Sequence, residues 1–559
     1  MSAPQDPFRF SEALVDDVAA RRPMQATFMG VAGHDDRWDD LSPEGAAEVD
    51  RALRDWSARL SALPVGDGED RWSRLARVVM RDWLDQELAS HEHGDHEVDL
   101  NHIASPIQSA QMVFDSMDTS SAQGWTAVAS RLEGLGALLG GYRRTLEKGL
   151  AAGQVVAERQ VRAAAAQCRA HAGADSSFRA MPSAMERAGV DDAALARRLE
   201  RAVPGACEAF GALGAWLQES YLPRARREDG VGRERYLRAM RRFLGAVPDP
   251  EETYAWGWTE VAKILEQMRA VAAQIAPGKS LDEVIALMRT DPARAAHDRE
   301  TFLAAMRDRQ ARALAALDGA HFDVPDVIRH VDVKEAPPGG PLGAYYVPPS
   351  EDFSRRGAIC YQLAGDGPYP LWDEVSTAYH EGFPGHHLQC GLQVSFTESL
   401  CRLHRVAYGY SGFAEGWALY VEQLMSELGY YDKPDYELGM LANQMMRACR
   451  VVIDIGAHLS LPIPDGACFR PGERWTYDVA VEMMERLGGM EHDTALSEVT
   501  RYFGWPGQAI SYKVGQRAML ALREEHQRAK LGDLKDFHAR VLACGNVSLD
   551  LLRGEVLGS

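Results

Sequence analysis

Basic residues are in short supply in this chain. It carries 61 Lys and Arg against 81 Asp and Glu over 559 residues, a net charge of −20. A surface of that sign repels phosphate backbones, so nucleic acid is not an expected partner. Apolar runs of membrane-spanning length are missing as well. The Ala-rich stretches 151–166 and 311–317 carry charges or are too short, so no membrane partner is expected. The start, Met-Ser-Ala-Pro-Gln-Asp-Pro-Phe, has no basic residue followed by an apolar stretch, and no secretory signal is read there. The eight cysteines include no Cys-x-x-Cys pair. Scattered, and mostly beside apolar residues, they read as buried free thiols, which fits a cytoplasmic location. A Gly-x-Ser-x-Gly elbow and a Gly-x-x-x-x-Gly-Lys-Ser/Thr loop are both absent, which leaves serine hydrolases and nucleotide enzymes without support.

What is present is mostly helical periodicity. Residues 1–320 are dominated by Ala, Arg, Leu and Glu, and in 128–170 and 251–318 apolar residues recur every three or four positions. Asp249-Pro250-Glu251-Glu252 and Ser280-Leu281-Asp282-Glu283 have the composition of helix starts. The texture changes at about 321. Short aromatic and β-branched runs within 327–333, 344–347 and 358–361, separated by Pro337-Pro338-Gly339-Gly340-Pro341, read as strands of a small antiparallel sheet. Such a sheet is a plausible wall for an extended peptide. Helical patterning returns after about 371. The expected fold is therefore mainly α. A helical scaffold half spans 1–320 and a catalytic half spans 321–559, the two forming one continuous catalytic unit.

The chemistry concentrates in His380-Glu381-Gly382-Phe383-Pro384-Gly385-His386-His387. In the zincin pattern His-Glu-x-x-His, two histidines one helical turn apart share a Zn²⁺, and the glutamate activates the metal's water. Here the spacing is longer. On a regular helix His386 would point about 240° away from His380, and His387 would share its face but lie roughly 10 Å along the axis. Pro384 disrupts the helix, and Gly382 and Gly385 permit unusual backbone angles. A two-residue bulge would then put His386 where the second histidine belongs, with His387 as its competitor. A third ligand is needed, and Glu415 in Ser411-Gly412-Phe413-Ala414-Glu415-Gly416-Trp417 is the best candidate. Glu422, seven residues on, shares its helix face.

These residues support a family resemblance. His-Glu-Gly-Phe-Pro-Gly-His-His-Leu-Gln, then Glu-Gly-Trp-Ala-Leu-Tyr, then Pro506-Gly507-Gln508-Ala509-Ile510-Ser511-Tyr512-Lys513-Val514-Gly515 resemble the bacterial domain-of-unknown-function 885 family. Ala344-Tyr345-Tyr346-Val347-Pro348-Pro349 and the run 447–458 look similar too. That family looks like a distant branch of the helical zincin peptidases, such as angiotensin-converting enzyme. The resemblance implies a large helical shell around a deep active-site cleft, one zinc per chain, and hydrolysis of short peptides or peptide-like amides. It favours His386 as a ligand. It also makes Tyr512 the first choice for the oxyanion donor, beside the competing reading of a packing tyrosine.

Other residues have candidate roles around that site. Gln508 and Lys513 are candidates for binding a substrate carboxylate. Arg447, Arg450, Asp454 and His458 form one polar stripe on an apolar helix, where an Arg–Asp pair would support the metal helix or act as an internal salt bridge. Tyr345 and Tyr346 either line the cleft or pack. In the resulting mechanism Glu381 is the general base and Tyr512, with His387 or Lys513, the oxyanion donor. Two other functions fit the same residues: a specialised amide hydrolase acting on small molecules, and a non-catalytic helical binding protein with a vestigial metal site.

Overall fold

A computed structural model describes residues 6–66, 68–336 and 343–558. The turn-prone segment 337–341 lies outside the described residues. The chain divides into two compact units, Met1–Asp229 with Cys401–Ala407, and Gly230–Leu400 with Tyr408–Ser559. The change of texture near 321 falls inside the second unit. Both units are mainly helical, and no described helix is long and apolar enough to cross a membrane.

The first unit is organised by burial. Its longest helix, Ala122–Ala151, starts at Ser121, whose side chain accepts from the Gly124 amide. One face of it buries Leu132, Leu135, Leu139, Tyr142 and Leu146 in a core shared with Phe178 and Phe210.

The second unit begins its long helices as the sequence predicts. Helix α1 (Pro250–Ile275) is capped by Asp249 with Pro250 in its first turn, and helix α2 (Leu281–Thr290) has a complete Ser280/Glu283 capping box. Helix α3 (Arg299–Leu317) precedes the strands β1 (Asp332–Glu335), β2 (Ala344–Val347) and β3 (Ala358–Tyr361). The sheet is not wholly antiparallel, as its sequence suggests. β3 is central, pairing antiparallel with β2 but parallel with β1. Burial explains this order: Ala358-Ile359-Cys360-Tyr361 is buried throughout and takes the middle, whereas Asp332, Lys334 and Glu335 are exposed and suit an edge. Helices C-terminal to the sheet build the site: α4 (Glu374–Glu381), α5 (His386–Ser395), α6 (Ser411–Glu427), α7 (Pro434–His458), α8 (His492–Gly504) and α9 (Ser511–Arg528).

Candidate metal centre

The histidine motif is not a bulged helix. It is a seam between two helices: α4 ends at Glu381, residues 382–385 turn, and α5 starts at His386. A Cβ on Gly385 would lie 2.0 Å from the His380 carbonyl oxygen, so only glycine lets the turn close. Two side chains from elsewhere hold the turn. Gln310 of α3 donates to the Ala378 carbonyl (2.6 Å) and accepts from the Phe383 amide (2.6 Å), and Trp417 Nε1 donates to the Pro384 carbonyl (3.0 Å).

The seam places His380 in the last turn of one helix and His386 at the first residue of the next. Their rings lie 4.8 Å apart, nearly perpendicular. Glu415 in α6 faces both, with Oε2 3.3 Å from His380 Nε2 and 3.5 Å from His386 Nε2. One ligand atom from each of the three lies within 4.8 Å of the others. Glu415 Oε2 is buried and makes no well-formed hydrogen bond. Burial works against the charge of Glu415, but the two imidazoles hold it well below the usual carboxylate range. Burial and Arg447 likewise oppose a charged His380, yet Glu415 and Glu422 carry it up to about 9.

These residues fit a divalent cation. The second ring nitrogen of His380, Nδ1, is bonded to buried Glu422 at 2.7 Å, which leaves Nε2, the nitrogen facing Glu415, as the one a metal would take. Ser376 and Gln444 donate to the other Glu422 oxygen (2.8 and 3.3 Å). His380 Nε2, His386 Nε2 and a Glu415 oxygen would hold the ion, and the orphaned oxygen is the atom most in need of it. His380 and Glu422 are sealed, while the side chains of His386 and Glu415 keep 13 % and 18 % exposure, so the ligand set opens on one side. Glu381 is partly exposed beside it, and burial raises its carboxyl above the ordinary range.

Tyr512 reaches the centre because two helices touch backbone to backbone. A Cβ on Gly515 of α9 would stand 2.0 Å from the Gly412 carbonyl of α6, and one on Gly416 would strike Gly515. The Tyr512 ring stacks on His380 at 6.5 Å and 16°, and its hydroxyl has no hydrogen-bond partner among the described residues. Burial and the nearby Glu415 charge raise its pKa, so the hydroxyl keeps its proton.

The remaining candidates go elsewhere. His387, the competitor ligand, turns away from the triad: Nε2 meets the Ile328 carbonyl (2.7 Å) and Nδ1 the Tyr346 hydroxyl (3.0 Å). Burial lowers it to about 4, so it donates through Nε2 and accepts from Tyr346. Tyr346 therefore backs the seam, while Tyr345 packs beside Ala336, Ala358 and Cys360. Lys513 is enclosed by Gln444 (3.1 Å), Gln516 (2.7 Å) and Glu260 (3.2 Å). Gln508 accepts from Arg501 (2.7 Å) and is buried. Neither of the last two has the open position a substrate carboxylate needs.

The polar stripe of α7 divides. Arg447 approaches Glu422 (3.6 Å), and Arg450 donates to Glu498 (2.7 Å) and Tyr502 (3.0 Å). Asp454 accepts from the Tyr236 hydroxyl (2.7 Å) and the Gly507 amide (2.9 Å) instead of pairing with an arginine of its own helix. Burial pushes Asp454 up to about 7, and His458 lies 3.5 Å from it. These contacts hold the Gly504–Gln508 turn that leads into Tyr512.

Sequence reasoning placed Glu422 on the ligand face but not on His380 itself. The roles of Gln310, Trp417 and Glu498 had no sequence signal, because each depends on a chain crossing far from the motif.

The family model described as "Bacterial protein of unknown function (DUF885)" matches residues 23–556. No curated protein matches the chain. Two solved structures share the fold. The "putative lipoprotein" from Colwellia psychrerythraea is 22 % identical, with a TM-score of 0.86 over 100 % of this chain and 99 % of that one. The "putative lipoprotein of unknown function" from Shewanella oneidensis is 17 % identical, with a TM-score of 0.74 over 97 % and 98 %. With its motifs in order and nearly its whole length matched, the chain belongs to the DUF885 family of bacterial proteins.

Proposed function

We propose that this protein is a zinc-dependent hydrolase that cleaves peptide or peptide-like amide bonds, one zinc per chain, within a helical shell of the zincin type whose cleft has the metal on its wall. The observation that carries the reading is the convergence of His380, His386 and Glu415 beside Glu381 and Tyr512, whose carboxyl and hydroxyl have no hydrogen-bond partner among the described residues. A structural zinc site is usually closed, often by cysteines, whereas three His/Glu ligands with an open side are the catalytic pattern. Bound there, a divalent ion supplies Lewis acidity to a carbonyl and lowers the pKa of water. Glu381 takes a proton from the attacking water and returns it to the leaving amine. The Tyr512 hydroxyl donates to the oxyanion, and its high pKa keeps the proton available. Glu422 fixes the His380 ring and its tautomer. Short peptides or amide-containing small molecules are the substrates proposed.

Elemental mass spectrometry on the wild type and on His380→Ala, His386→Ala, His387→Ala and Glu415→Ala tests the site. About one zinc per chain is expected in the wild type and the His387 variant, and its loss in the other three. No bound metal in any preparation, even after zinc is added back, would sink the reading. A cytoplasmic location is proposed on the eight free cysteines, six of them buried, and cell fractionation tests it.

A further inference from the structure

Around the Tyr512 ring the protein gathers positive charge, and Arg447 also reaches His380, its Nη2 3.5 Å from Nδ1. The Arg450 and Arg447 guanidinium carbons lie 4.8 and 5.7 Å from the Tyr512 ring centre. Arg501 adds a third cation and donates with Arg450 to the same carboxylate, Glu498, at 2.7 Å each. Two guanidinium groups sharing one carboxylate leave one positive charge over. The field of these cations, together with the Tyr502 hydroxyl, holds Glu498 far below the usual carboxylate range against its burial.

Donors are left over as well as charge. Arg450 uses Nε and Nη2, but its Nη1 donates to nothing among the described residues. Arg447 leaves Nε and Nη1 unpartnered. Both residues are more than nine-tenths buried, at 7 % and 8 % exposure. A buried guanidinium with unused donors costs stability unless something accepts from it. Lys513 and Gln508, the residues the sequence offers for this task, are already enclosed.

We infer that Arg450, with Arg447 beside it, receives the free C-terminal carboxylate of the substrate. The inference rests on the hydrolase reading above and extends it to a substrate class. His380 and Arg450 lie 6.5 and 4.8 Å from the same Tyr512 ring centre, so the carboxylate sits no further than roughly three extended residues (~3.5 Å each) from the metal centre. The protein is then an exopeptidase acting from the C-terminus. Water adds across the C–N bond: the acyl part leaves as a carboxylic acid, and a fragment of one to three residues leaves with a free amine. The Tyr512 ring contacts both His380 and Arg450, and its hydroxyl has no hydrogen-bond partner among the described residues.

The test compares an N-blocked peptide with its C-terminal amide on the zinc-loaded protein. The acid is expected to have at least a tenfold higher kcat/KM, the scale of a charge-assisted hydrogen bond. Arg450→Gln should erase that preference by raising KM much more for the acid than for the amide, and Arg450→Lys should restore part of it. Calorimetry on Glu381→Gln protein should show the acid binding more tightly than the amide. Equal use of acid and amide by the wild type overturns the inference and leaves the hydrolase intact. Equal losses on both substrates in Arg450→Gln also overturn it, since that is the signature of a structural role. If neither peptide is cleaved, the hydrolase reading falls, and calorimetry still decides: an acid preference that depends on Arg450 supports the carboxylate site, and no preference removes it.

Discussion

The two compact units bury different things. In the first, the sealed side chains are overwhelmingly apolar, and buried acids, arginines and histidines are few: Glu97, Arg131 and His404. Arg131 there is held by backbone carbonyls and Thr27, a structural arrangement. In the second unit His380, Glu422, Arg447, Arg450, Asp454, Arg501 and Lys513 are all buried, with Glu422 and Arg447 directly against His380 of the candidate metal centre. Each buried ion costs several kcal/mol of desolvation, and hydrophobic packing would stabilise the fold at least as well. A region that repeats that cost in one place is what the proposed hydrolase calls for, whereas the burial of the first unit is what stability alone calls for.

Substitutions in each unit separate the two roles. Glu381→Gln should lower kcat for amide hydrolysis by ~10²–10⁴-fold with zinc content and melting temperature unchanged. Persistent turnover would make the second unit's charges as structural as Arg131. In the first unit Phe210→Ala should cost about 3–5 kcal/mol in denaturant unfolding and leave zinc affinity untouched. A matching loss of zinc would show that the division of labour is false. Tyr512→Phe should reduce kcat by ~10²–10³-fold with KM nearly constant. Glu422→Gln should weaken zinc by ~10–100-fold in chelator competition, since the His380 ring loses its anchor. The smallest effect is expected from His387→Gln, which should keep one zinc per chain and cost about 1–2 kcal/mol of stability for its bonds to Ile328 and Tyr346.

The convergence of His380, His386 and Glu415 was legible in the sequence because chemistry restricts the letters: few buried sites need two histidines and two glutamates close together. The preference for His386 over His387 was legible from Gly382, Pro384 and Gly385, but the form of the break, a seam between two helices and not a bulge, was not. Periodicity assumes one continuous helix, and the break is fixed by Gln310 and Trp417, about seventy residues before and thirty after the motif. Helix starts at Asp249 and Ser280 were readable because capping is local. The parallel pairing of β1 with β3 was not, since the order of strands is decided by which one the core covers. Arg450 appeared in the sequence only as part of a stripe. Its unused donor becomes visible once Glu498 and Tyr502 are seen to occupy the other two.

The seam between α4 and α5 has an electrical consequence. A helix carries about half a negative charge at its C-terminus and half a positive charge at its N-terminus, felt within the last or first turn. His380 lies in the last turn of α4 and His386 opens α5, so opposite poles of two helices meet at the ligand set. The carbonyl pole favours a resident cation, and the amide pole favours an incoming anion. A single unbroken helix carrying both histidines would offer neither pole. The break that lengthens the motif therefore also polarises the place where a cation and a developing negative charge would meet.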